Sequence, residues 1–305
     1  MTRPLRVGVQ LPEVEYVVRW PELRQMAIAA ERIGLDSLWV GDHLLYRHAE
    51  HPPRGPWEAW STLAALAAVT ERIQLGPLVA ATSFHNPAMI AKKAATIEEI
   101  SGGRLVLGLG AGWNEPEYRA FGFPFDHRVS RFDEAFTIIR RLLREGRCDF
   151  HGAYYDLTDC ELLPRGPRPE GPPLMVGSEG PRMLAITLPH VQSWNAWFEW
   201  FGNGPQGYRE LRGRIDEACR AAGRDPAEVE RTVALYVAMP GIGSGPSRGD
   251  FTRPEVEPLP GEPEALADSL RAFAAEGVAE VQLVLDPITP ESVVALEPMV
   301  RLLDA

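Results

Sequence analysis

The sequence predicts an eight-stranded parallel β/α barrel, on three observations. Short β-branched apolar runs alternate with longer segments of helical period along the chain, the pattern of repeated βα units around a parallel sheet. Eight runs and eight helical segments alternate, which favours closure over an open doubly wound sheet of about five to seven strands. Such an open sheet would also carry a glycine-rich fingerprint in its first βα turn, and here that turn reads Gln10-Leu11-Pro12-Glu13. A chain of 305 residues suits one barrel with insertions, since barrels run to roughly 250 residues. A single domain over residues 1–305 is therefore expected.

The strands are predicted at residues 6–11, 37–40, 73–79, 105–109, 174–176, 191–195, 232–238 and 280–285. Helical patterns follow at 20–33, 57–70, 87–100, 131–145, 181–187, 205–222, 263–276 and 290–303. Gly34 and Gly223 stand just past helix ends, where a left-handed residue costs little. Pro87, Pro181 and Pro290 fall in first helical turns, where the missing N–H has no partner to lose. Residues 147–173, rich in proline, glycine and aromatics, form an insertion after the fourth strand. Residues 240–263 form another after the seventh, which reads as a lid or a mobile loop. The Arg248-Gly249-Asp250 tripeptide inside it is read as coincidental.

Composition excludes several functions. A net charge of −11 argues against non-specific binding to nucleic acid or anionic membrane. Cys148, Cys160 and Cys219 are widely spaced without a CxxC pair, so neither a disulfide framework nor a zinc site is expected. No signal peptide is read at the start, and no apolar run reaches the roughly 18 residues of a membrane span, so a cytoplasmic protein is expected. Lysine occurs only at Lys92 and Lys93, on the third helix, so Schiff-base chemistry has no strand end to work from. The first strand lacks His-x-His, no G-x-S-x-G elbow is present, and His48-Ala49-Glu50-His51 lies in a proline-rich loop, read as a solvated or lid segment.

Active sites of such barrels lie at the C-terminal strand ends. After the second strand come Gly41, Asp42 and His43, and His43 is the best acid–base candidate because imidazole titrates near neutral pH. Asp42 could orient it. A satisfied core histidine is the competing reading. His85 is weaker, since His85-Asn86-Pro87 also suits a helix N-cap. The fourth strand runs into Gly108-Leu109-Gly110-Ala111-Gly112-Trp113, whose glycines let backbone approach a flat ligand. Gly177, Ser178, Glu179, Gly180 and Arg182 open the fifth helix, where free N–H groups suit a phosphate or simply make a tight turn. Trp113, Trp194 and Trp197 are either core or the walls of a ring site.

These residues resemble the luciferase-like oxidoreductases along nearly the whole chain. The matching segments are Trp39-Val40-Gly41-Asp42-His43, Phe84-His85-Asn86-Pro87-Ala88 with Ala91-Lys92, and Ile100-Ser101-Gly102-Gly103-Arg104-Leu105 running into the glycine run and Trp113-Asn114-Glu115. Arg131-Phe132-Asp133-Glu134, Tyr154-Tyr155, the Gly177 to Gly180 turn and Ser193-Trp194-Asn195 complete the match. The resemblance implies a TIM barrel, a homodimer, and either FMN or the deazaflavin coenzyme F420 as cofactor. The stretch through Glu117, Tyr118, Phe121 and Gly122, with Val176 to Leu184, is more similar to the F420 branch.

By that resemblance Asp42 and His43 sit at the cofactor ring, and Leu78 and Val79 form a bulge behind it, often with a non-proline cis bond. Gly110, Ala111, Gly112, Trp113 and Asn195 line the cofactor site, and Gly177, Ser178, Glu179 and Gly180 hold the phosphate with Arg182 near. One departure stands out: some F420 enzymes place a lysine after the sixth strand, where this chain has Trp197-Phe198-Glu199-Trp200. Hydride transfer between F420 and a small organic substrate is the leading expectation. An FMN-dependent monooxygenase fed by a separate reductase is the alternative, and a non-catalytic flavin binder the third reading. Residues 46–57 and 240–263 would shape the substrate pocket.

Overall fold

A computed structural model describes residues 3–48, 51–239, 241 and 254–305. Eight parallel staves form the barrel: β1 (Arg6–Gln10), β2 (Ser37–Val40), β3 in two pieces (Gln74–Pro77 and Ala80–Ala81), β4 (Leu107–Gly110), β5 (Leu174–Gly177), β6 (Ser193–Ala196), β7 (Glu230–Ala238) and β8 (Val278–Asp286). The order runs from the first piece of β3 through β2, β1, β8, β7, β6, β5 and β4 to the second piece of β3. The first piece pairs with β2, the second with β4, and Leu75 bridges Leu105, which brings the two ends of the sheet together. Between the pieces the Leu78–Val79 peptide bond is cis.

The staves are buried on both faces, which is why they read as apolar runs without clean alternation. Val7, Val9, Leu38, Leu75, Leu107, Val176, Val281 and Leu283 are buried and belong to the main core. The barrel interior holds small and polar residues around one indole. A Cβ on Gly8 would lie 2.0 Å from Ser37 Oγ and 2.9 Å from Trp39 Nε1, and one on Gly76 2.2 Å from the Val106 carbonyl oxygen and 2.9 Å from Trp39 Cζ3, so neither position has room for a side chain beside that ring. Trp39 Nε1 donates to Ser37 Oγ (2.7 Å), which donates to Glu280. Further along the interior, Asn195 Nδ2 donates to Thr232 Oγ1 (2.8 Å) and Gln282 Oε1 (2.7 Å).

The Ser101-Gly102-Gly103-Arg104 run is structural. Gly102 and Gly103 take φ of 65° and 91°, a conformation that favours glycine, and turn helix Pro87–Ser101 into β4. Arg104 then donates to the carbonyls of Ala67, Thr70, Ile73 and Ser101 and to Thr70 Oγ1, at 2.7–2.9 Å. One guanidinium thus satisfies the Ala67 and Thr70 carbonyls at the end of helix Ala59–Val69 and ties that end to Ile73 and Ser101.

The structure departs from the predicted elements in definite places. The last helix is two, Pro290–Ala295 and Glu297–Asp304, because Pro298 enters the first turn of the second and cannot continue the first. A helix at Glu115–Phe121 follows β4. The insertion at 147–173 carries an antiparallel hairpin, Arg147–His151 with Asp156–Glu161, in which the free thiols Cys148 and Cys160 occupy opposite positions. Residues 46–57 also contain a hairpin, Tyr46–His48 with His51–Arg54, and Arg54 Nη1 ties it to the carbonyls of Val14 and Glu15. Of the loop at 240–263, Leu259–Pro260 pairs with Val237 and Ala238 of β7. Pro240 and residues 242–253, with Arg248-Gly249-Asp250, lie outside the described residues, as do Ala49 and Glu50. No described helix is long and apolar enough to cross a membrane.

Candidate active site

The chain leaves β2 through Gly41, and the next two side chains diverge. Asp42 turns under the strand ends and is buried. Its Oδ2 accepts the Ala81 N–H (2.9 Å) and faces His85 Nε2 (3.2 Å), while Oδ1 is buried with no partner among the described residues. Asn86, not His85, caps helix Pro87–Ser101, accepting from Ala88 and Met89, which leaves His85 to face Asp42. Lys93 Nζ reaches His85 Nδ1 (3.3 Å) from that helix, so a lysine does touch the site, one residue removed from Asp42.

His43 is not a core histidine: it sits among two carboxylates and two rings. Its Nδ1 lies 2.8 Å from Glu117 Oε1, and its Nε2 lies 3.8 Å from Glu13 Oε1. Burial opposes a charged imidazole, but Glu13, Glu117 and Asp42 outweigh it and raise the His43 pKa above the usual value. Glu117 Oε1 also accepts from Asn114 Nδ2 (2.6 Å), and Asn114 is anchored to the Leu45 carbonyl. Glu13 sits against Gly41, where a Cβ would lie 2.2 Å from its Oε1, and is met by Tyr46 Oη (3.3 Å) and Gln10 Nε2 (3.4 Å). The Tyr46 ring packs on His43 at 4.6 Å between centroids, and the largely exposed Trp113 meets its edge at 5.6 Å.

Beside this cluster Val79 stands in a cradle of glycines. A Cβ on Gly110 would lie 2.7 Å from Val79 Cγ2, and on Gly108 and Gly177 3.0 and 3.2 Å from Cγ1. Gly110 and Gly177 are thus explained by the Val79 side chain, whereas a Cβ on Gly108 would first meet the Pro77 carbonyl oxygen, at 2.3 Å. Ala111 and Gly112 are fixed by their carbonyls: Tyr118 Oη (2.8 Å) and Ser83 Oγ (3.1 Å) donate to the first, and Arg128 Nη1 (2.6 Å) to the second.

The structure brings Asp42, His43, Leu78, Val79, Gly110, Ala111, Gly112, Trp113 and Gly177 into one region at the ends of β2 to β5. At the next loop Ser178 Oγ accepts the Gly180 N–H (3.3 Å), its carbonyl accepts from Trp194 Nε1 (2.7 Å), Glu179 lies 3.6 Å from Arg214, and Arg182 donates to Ser130 Oγ (2.9 Å). Trp194 is therefore core, whereas Trp197 is half-buried and packs at a tilt on Phe198, which stacks on Tyr236. Asn195 lies inside the barrel with both Nδ2 hydrogens engaged.

Glu13 and Glu117 escape a reading of strand ends that begins at the second strand and stops at Glu115. Glu13 lies just three residues past β1, so the same rule applied to the first strand would include it. Glu117 sits on the helix at Glu115–Phe121, too short to show a helical period in sequence.

Barrel, glycine cradle and histidine–carboxylate cluster together define a barrel enzyme. The chain belongs to the luciferase-like monooxygenase family, whose model matches residues 5–240. It is 33% identical over 242 residues to an F420-dependent glucose-6-phosphate dehydrogenase of Amycolatopsis mediterranei, covering 77% of this chain and 69% of that protein. It is 36% identical over 173 residues to the pyrimidine monooxygenase RutA of Cronobacter sakazakii, covering 55% and 50% of the two chains. An F420-dependent secondary alcohol dehydrogenase, solved with an F420–acetone adduct, superposes with a TM-score of 0.78 at 19% identity over 98% of both chains, a likeness of fold.

Proposed function

We propose that this protein transfers a hydride between coenzyme F420 and a small organic substrate, an alcohol in one direction and a carbonyl compound in the other. The observation that carries the reading is the contact of His43 Nδ1 with Glu117. A carboxylate at Nδ1 fixes the proton on that nitrogen and leaves Nε2 with the lone pair that takes a substrate hydroxyl proton. Glu13 at 3.8 Å then stabilises the imidazolium that results. In the reverse direction Nε2–H returns the proton to the carbonyl oxygen.

The residues fit a flat polar ring. Asp42 Oδ1, Thr82 Oγ1, Gln10 Oε1 and Glu117 Oε2 are buried polar atoms without partners among the described residues, and such atoms normally find one. In this reading Asp42 and the backbone around Val79, Gly110, Ala111, Gly112 and Trp113 hold the ring, and Gly177, Ser178, Glu179 and Gly180 with Arg182 hold the phosphate. When bound, the deazaflavin supplies a carbon that accepts or gives the hydride. A homodimeric, single-domain cytoplasmic enzyme completes the proposal.

A second reading, an FMN-dependent monooxygenase served by a separate reductase, is favoured by the 36% identity to RutA and by Trp197-Phe198-Glu199-Trp200 after β6. The two separate on oxygen. Incubation with F420 and a panel of secondary alcohols, followed by F420 absorbance and an oxygen electrode, should show F420 reduction without oxygen uptake. Substrate-dependent oxygen uptake with reduced FMN would establish the second reading, and neither activity would leave a flavin binder.

A further inference from the structure

The opposite end of the barrel carries a positively charged cavity that hydride transfer does not use. Its volume is about 370 Å³, and its lining includes Arg144, His190, Gln192, Arg224 and Glu228. Gln192 stands one residue before β6 and Glu228 two before β7, so the cavity opens at the N-terminal face, away from His43. Arg144 Nη2 donates to the His190 carbonyl (3.2 Å), and Arg224 Nη1 to the carbonyls of Leu188 and Val191 (2.7 and 2.5 Å). Arg140 lies one turn before Arg144 on helix Arg128–Glu145; its Nε is buried without a partner, and it makes no hydrogen bond among the described residues.

Three guanidinium groups therefore share this corner of a chain whose net charge is −11. Glu228 answers Arg224 at 3.4 Å from the exposed edge of the cavity, and Glu145 pairs with Arg141 at 3.9 Å rather than with any of the three. The imbalance registers on the neighbouring side chains. Burial, then Arg140, Arg144 and Arg224, push the His190 pKa below its usual value, and burial with Arg144 lowers that of Arg140.

We infer that the cavity lined by Arg144, His190 and Arg224, with Arg140 behind it, is a binding site for a phosphate group, free or on a small phosphomonoester. A doubly charged oxyanion offsets more than one guanidinium at once, which a single carboxylate does not. Its several acceptor oxygens suit donors from Arg144 on helix Arg128–Glu145, from His190 in the loop before β6, and from the Arg224 Nη2 hydrogen left over after its bonds to Leu188, Val191 and Glu228. The volume leaves room for a small group on the phosphate. A ligand here would not compete with substrate, being at the other end of the barrel.

Isothermal titration of the full chain with inorganic phosphate, with acetate as the control anion, tests the assignment. One saturable site for phosphate is expected, weakened about tenfold or more by Arg140→Gln and by Arg144→Gln and unchanged by Arg119→Gln. Circular dichroism checks that each variant is folded, and Arg140→Gln decides if Arg144→Gln is not. Absence of saturable binding overturns the inference. So does binding that survives Arg140→Gln but is lost in Arg182→Gln or with F420 present, because the phosphate would then sit at the cofactor end.

Discussion

His43 Nδ1 lies 2.8 Å from Glu117 Oε1, joining the loop after β2 to the helix after β4 across 74 positions of sequence. The contact fixes which imidazole nitrogen carries the proton, and with Glu13 it raises the His43 pKa.

In the proposed reaction alcohol oxidation needs neutral His43, so activity should rise with pH through the raised His43 pKa. Glu117→Gln removes a charge while keeping an acceptor, and should move that limb to lower pH. The pH profile of kcat checks this, and an unmoved limb would detach Glu117 from the proton chemistry. The same shift predicts a stability contribution that is full below the unfolded-state value near 6.5 and is lost as pH rises through the higher folded-state value. It should vanish in His43→Ala.

His43→Ala should lower kcat by about 10²–10⁴-fold, the usual worth of a positioned acid–base group. Cofactor affinity should stay near that of the parent, as read by tryptophan fluorescence quenching. A parallel loss of affinity would make His43 a binding residue instead.

Gly110→Ala places a Cβ 2.7 Å from Val79 Cγ2, and overpacking of this kind costs about 1–3 kcal/mol. Cofactor binding should weaken with it, because Val79 cannot hold its place. Gly122→Ala is the control: its φ is 76° but the space around it is open, so it should cost about 1–2 kcal/mol and leave binding alone. Denaturant melts and cofactor titrations of both variants give the comparison.

Arg104→Lys should cost about 2–4 kcal/mol, since an ammonium cannot reproduce five donations to four carbonyls and a hydroxyl. The folded fraction should keep its kcat. A drop in kcat at full folding would move this motif into the site.

Neutral alcohols should be better substrates than phosphorylated sugars, whatever the 33% relatives act on. The half-buried Trp197, which follows β6, packs against Phe198 with ring centroids 4.5 Å apart and offers an apolar wall to an uncharged substrate. Tyr236 Oη, from β7, meets Asp286 Oδ2 of β8 at 2.5 Å. Comparison of kcat/KM for a secondary alcohol and glucose 6-phosphate checks it.

The barrel was legible because parallel staves buried on both faces leave apolar runs, and helices between them leave a 3.6-residue period. Proline and glycine marked the ends, as at Pro181 and Gly223. The break in β3 was not, because Leu78 and Val79 look like any strand pair; only the resemblance pointed to it. Asp42 and His43 were readable as a strand end, but their charge environment was not. Glu13 and Glu117 reach His43 through loops whose paths depend on Gly41, Asn114 and Tyr46, contacts that no local pattern encodes. Arg104 shows the converse, a conspicuous motif whose work is to close a helix end.

A paired titration of the purified protein with F420 and with FMN tests the central claim most directly. Tight F420 binding and weak FMN binding, with Asp42→Asn weakening the former, is the predicted result. Preferential binding of FMN would contradict the account and make oxygen the co-substrate.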